Sequence, residues 1–177
     1  SSRELLERIK EELKELEDRH RDLLRRIEEK LERLNRRTRE VLERIKRKLD
    51  ELKKRVEEAG LDEDSRRRLE KKLKEIRDKL DEIRRRLEDE TRKIKEELRR
   101  HHEEVRKRLR DVERRLREKG VDEDLLREVK ELIERLRENI KRAKDKVEEL
   151  IKKYKRDTDE AKKEVDEEIK RLKEEVD

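Results

Sequence analysis

The sequence predicts an all-α fold, a single-chain antiparallel three-helix bundle running up, down and up, on three observations. The 177 residues hold two glycines and no proline, so nothing interrupts a helix except near positions 60 and 120. Leu, Ile and Val recur at steps of three and four, which places them on one face of each helix. Each glycine opens the same phrase, Gly60-Leu61-Asp62-Glu63-Asp64 and Gly120-Val121-Asp122-Glu123-Asp124. Connections this short force consecutive helices to pack antiparallel. One domain is expected over residues 1–177, with helices at about 2–58, 62–118 and 122–177.

The first helix opens on Ser1 with Glu4 three residues on, the spacing of a capping box. Its inward positions read Leu6, Ile9, Leu13, Leu16, His20, Leu23, Ile27, Leu31, Leu34, Thr38, Val41, Ile45, Leu49, Leu52 and Val56. The pattern repeats every 18 residues over five turns, or 3.6 per turn, so nearly straight, coiled-coil-like helices satisfy it without a tight supercoil. The second helix repeats the stepping from Leu69 through Leu87, Thr91 and His101 to Leu116. The third carries it from Leu126 through Leu150, Tyr154 and Thr158 to Val176.

At the connections, Gly60 and Gly120 suit the left-handed residue just past a helix end, where a side chain would clash. Asp62 and Asp122 are placed to cap the next helix, and the acids after them favour its positive end. Folding at these two points aligns the layers. Residues of the first two helices meet when their numbers sum to about 121, and those of the last two at about 241.

That register gathers the uncommon polar residues. His20 falls opposite His101 and His102, with Asn139 beside them; Asn35, Thr38, Thr91, Tyr154 and Thr158 form a second zone. Two hydrogen-bond networks are expected there, since a buried polar group without a partner costs about 1–3 kcal/mol. Asn35, Asn139 and His102 lie at core edges, so partial exposure is the plainer expectation for those three. The networks would strand their members in any slipped register and so give packing specificity.

Composition narrows the function. Charged residues make up 66% of the chain and hydrophobic ones 27%, a balance that suggests disorder until the one-faced patterning is counted. Net charge is +6, but 61 basic residues interleave with 55 acidic ones, and no aromatics sit among basic triplets such as Arg66-Arg67-Arg68 and Arg84-Arg85-Arg86 to stack on bases. No specific nucleic acid partner is expected. No apolar run exceeds two residues, so no membrane span is expected either, and no targeting signal is read. Localisation stays unassigned, with recombinant cytoplasmic expression the expectation.

No cysteine supports disulfide or thiolate chemistry. His20 with one of the neighbours His101 and His102 offers two metal ligands where a site needs more, so no metal and no cofactor is expected. A histidine layer without nucleophile, cleft or cofactor motif satisfies no catalytic constellation, so no enzyme is expected.

The two idealised loops, the 18-residue core repeat, the Glu/Lys/Arg surface and the polar layers together resemble computationally designed de novo helical bundles with buried hydrogen-bond networks. The resemblance spans the whole chain and implies a structural scaffold with no natural biochemical activity, monomeric and requiring no partner. Three alternatives stand beside it. One is a pH-responsive conformational switch acting through the histidine layer; another is a self-assembly module, which would make a homo-oligomer; the third is a polyanion or lipid-surface binder, whose affinity would fall steeply with salt.

Overall fold

The structure, a computed structural model, describes residues 1–58 and 61–176. It contains α1 (Ser2–Glu58), α2 (Glu63–Glu118) and α3 (Glu123–Val176), packed as a three-helix bundle, with no strand among the described residues. The chain's apolar stripes dictate that outcome: a helix with one oily face must bury it against another.

The helix ends follow from their capping residues. The Glu4 amide donates to Ser1 Oγ at 3.4 Å, while the Glu4 carboxylate lies 3.8 Å from the terminal amine, which closes the capping box. At the start of α2 the Ser65 amide donates to Asp62 Oδ1 at 2.8 Å, and the Ser65 side chain together with this amide holds the Asp62 carboxyl below its ordinary range. Ahead of α3, Asp122 contributes its main-chain carbonyl, which accepts from the Leu126 amide at 3.0 Å. Gly120 stands at φ +57°, the left-handed region; Gly60 lies outside the described residues. A Cβ on Gly120 would meet nothing within 4 Å, so Gly120→Ala carries only the backbone penalty. We expect it to lower the unfolding free energy by about 1–2 kcal/mol in a denaturant titration. An unchanged midpoint would show that the loop tolerates another conformation.

Two compact units are built within the bundle, Ser1–Lys30 with Arg92–Leu150, and Leu31–Thr91 with Ile151–Asp177. The first unit's core joins Leu6, Ile9, Leu13 and Leu16 of α1 to Val105, Leu109, Val112 and Leu116 of α2 and to Val129, Ile133 and Leu136 of α3. The second unit's core joins Leu42, Ile45, Leu49 and Leu52 to Leu69, Leu73, Ile76 and Leu80 and to Val165, Ile169 and Leu172. No large hydrophobic side chain among the described residues is exposed.

Two inward assignments shift by one residue. Leu42 and Ile151 are the buried members of their adjacent apolar pairs, while Val41 and Leu150 are half-buried. Each helix touches two neighbours, so its apolar face is wider than one residue per turn, and both members of a pair lie within it.

The 18-residue repeat continues onto the surface. Lys10–Glu128 (2.9 Å), Glu28–Lys146 (2.9 Å) and Lys46–Glu164 (3.6 Å) link α1 to α3, each partner on α3 numbered 118 higher. The sign alternates from one pair to the next. Such exposed pairs add little stability. They do oppose an 18-residue slide between helices of different copies: the apolar seam would match again, but Lys10 would meet Lys146 and Glu28 would meet Glu164.

Candidate functional site

In the first unit, α1 carries His20 inward between Leu16 and Leu23, four and three residues away, so the helical stepping alone seats its ring in the seam. His20 is buried, at 5% exposure; His101 and His102 of α2 are half-buried, and Asn139 of α3 is exposed. His20 Nδ1 lies 3.2 Å from His101 Nε2. The two ring planes differ by 13° with centroids 5.3 Å apart. That centroid separation is the N···N distance plus about the two ring radii, so the imidazoles meet edge to edge along one N–H···N bond.

In the neutral pair one ring nitrogen donates the shared proton and the other accepts it, so a single N–H···N bond ties α1 to α2. The main chain of Asn139 favours protonated His20, while the Asn139 side chain is exposed.

His102 is the odd member. Its ring is inclined 50° to that of His101 with centroids 6.2 Å apart, and its Nε2 is sealed from solvent with no hydrogen-bond partner. Burial lowers the pKa of all three histidines, and their mutual repulsion lowers His101 and His102 further. His102 falls to about 4, with Lys144 of α3 and Arg106 of α2 adding to the effect. Glu17 beside His20 and Glu104 beside His101 act in the opposite direction. A groove of about 710 Å³ reaches His101 from outside, edged by Arg19 and Glu104, which stand 3.9 Å apart.

In the second unit the buried threonines are satisfied locally. Thr38 Oγ1 donates to the Leu34 carbonyl (2.8 Å), Thr158 Oγ1 to that of Tyr154 (2.8 Å), and Thr91 Oγ1 to those of Leu87 (2.7 Å) and Glu88 (3.1 Å). All three threonines are buried, Thr91 completely. Each hydroxyl returns to its own helix one turn back, and among the described residues none reaches another helix. Tyr154 is buried at 9% exposure and Asn35 is half-buried. The zone therefore presents threonine methyls and a tyrosine ring to the seam, each hydroxyl of the threonines already engaged.

A further inter-helix polar contact joins residues not singled out from sequence. Arg115 of α2 reaches across to the Glu12 carboxylate through both Nη atoms, one at 3.2 Å, and is only part-exposed. Its Nε lies 3.3 Å from Asp111 as an ion pair without hydrogen-bond alignment. The Asp111–Arg115 spacing of four was the visible signal; the Glu12 partner was not.

Among the described residues no group of three or more His, Cys, Asp or Glu is placed to hold a metal, and no helix is long and apolar enough to cross a membrane. No protein-family model matches the sequence, and no curated protein shows significant similarity to it. A solved structure described as a "Computationally designed three helix bundle" is similar, with a TM-score of 0.53 and 20% identity, over 99% of this chain and 87% of that one. The likeness establishes the three-helix fold.

Proposed function

We propose that the chain is a de novo designed structural scaffold, without natural catalysis, whose role is to hold three helices in one register. The observation that carries this reading is the complete division between seam and surface. Every large apolar side chain described is covered, and the buried polar side chains are His20 and three threonines. The threonine hydroxyls are bonded within their own helices and His20 is bonded to His101, so each already has a partner and none forms a nucleophile–base pair. A designed bundle of the same fold supports the reading. In it, the His20–His101 bond contributes specificity, because a shifted register would bury two imidazoles apart and unpaired. One cooperative domain and a monomer belong to the same proposal.

A melt with zinc and a melt with chelator are expected to superimpose. A metal bound at a hundredfold excess over its Kd would add about 2.7 kcal/mol and move the midpoint by several degrees. Such a shift would replace the scaffold by a metal-binding function.

A second reading, an acid-responsive switch, is favoured by one observation, the sealed and partnerless Nε2 of His102. Protonating that atom places charge where nothing receives it, beside Arg106 and Lys144.

A further inference from the structure

We propose that the α1–α2 groove of the second unit binds a single-chain fatty carboxylate. The groove encloses about 180 Å³ over a floor of Leu34, Val41, Ile45 and Ile83. Thr38 completes that floor with its hydroxyl already bonded to the Leu34 carbonyl, so it offers no competing polar group. The rim is cationic. Arg37, Arg44 and Lys48 rise from α1, Lys79 and Arg86 from α2, and Glu82 is the single carboxylate beside them.

The corresponding groove in the first unit has a different balance, five cations against Asp22, Glu96, Glu97 and Glu104. There Arg19 pairs with Glu104, at a register where the two residue numbers sum to 123. The same register in the second unit sets Arg37 opposite Arg86, and Arg44 opposite Lys79. All four are exposed, and among the described residues none of the five rim cations has an ion-pair partner. Two such like-charged pairs, with Glu82 the single carboxylate on the rim, leave a net positive field over an apolar slot.

That combination selects the occupant. A carboxylate bridges opposed cations through charge-assisted hydrogen bonds. The apolar floor consists of four side chains, Leu34, Val41 and Ile45 in succession along α1 and Ile83 of α2, a strip too narrow for the stripe of another helix but suited to one alkyl chain. No aromatic lines the slot to stack a base.

The inference is independent of the scaffold reading and is tested with dodecanoate, kept below micelle formation and followed through the methyl resonances of Leu34, Val41, Ile45 and Ile83. Saturable shifts are expected at these four, with Leu23 in the other groove unmoved. Acetate and dodecyltrimethylammonium are expected to leave them in place, since one lacks the chain and the other the charge. Reversing Arg44→Glu and Lys79→Glu together should weaken the dissociation constant about tenfold or more. The milder Arg44→Gln, Lys79→Gln pair should weaken it less, and guards against a fold disturbed by charge reversal. Equal shifts with the cationic amphiphile, an equal response at Leu23, equally tight binding of an alkyl-free polyanion, an unchanged affinity in both variants, or no saturation at millimolar dodecanoate would each overturn the proposal.

Discussion

Ile9→Ala is expected to remove about 3 kcal/mol of stability, and Ile169→Ala a similar amount. Both isoleucines are fully buried, Ile9 in the core of the first unit and Ile169 in that of the second. Each truncation deletes three buried carbons and leaves a void that a close-packed seam closes only in part. The pair also asks whether the chain unfolds as one domain. In a cooperative domain either substitution lowers the same single transition, read identically by helicity and by methyl resonances of the other core. Two separated transitions, each moved by only one of the substitutions, would divide the protein into two independently melting parts. A loss below about 1 kcal/mol would mean that the seam is looser than the burial of these residues implies.

Acidification is expected to weaken the fold through His102, and His102→Leu is expected to recover about 1–2 kcal/mol of the stability lost between pH 7 and pH 4. An unfolded imidazole titrates near 6.5, whereas His102 in the folded chain is lowered to about 4. Between those values the unfolded state binds the proton and the folded state does not. The neutral-ring contribution is therefore complete above the unfolded value, declines as pH falls through this window, and levels off below about 4. Full linkage over the window would amount to about 3 kcal/mol, and the half-exposed ring reduces it by solvent screening. His20 and His101 shift in the same direction, moderated by Glu17, Glu104 and the Asn139 main chain, so replacing them alone recovers less. Denaturant titrations of wild type and variant at both pH values measure the difference. Parallel losses in the two proteins would remove His102 from the acid response and leave it to the surface carboxylates.

Much of this was legible from residues alone. Caps and glycines bracket the three helices within one or two positions, because the free backbone groups of a helix end demand those side chains. The register arithmetic set His20 against His101, and their facing ring nitrogens lie 3.2 Å apart. What escaped the sequence is finer. Periodicity could not choose Leu42 over Val41 or Ile151 over Leu150, since adjacent residues share a face wide enough for two neighbours. Nor could it choose between a bond across to another helix and the bond one turn back that Thr38, Thr91 and Thr158 make, because a helical threonine has such a carbonyl within reach in either case. Asn139 falls beside the histidines in the register arithmetic, yet its side chain is exposed, because its position lies at the edge of the helix face. His102 read as an edge residue, and its weight comes from a sealed nitrogen that only packing reveals.

A ring-nitrogen titration of the three histidines by nuclear magnetic resonance tests the central claim, that helix register builds one paired and partly dry imidazole layer. The account predicts His102 titrating near 4, His20 and His101 below the ordinary 6.5, and a coupling between His20 Nδ1 and His101 Nε2 across their shared proton. Three independent titrations near 6.5 with no such coupling would place the rings in water and contradict the register itself.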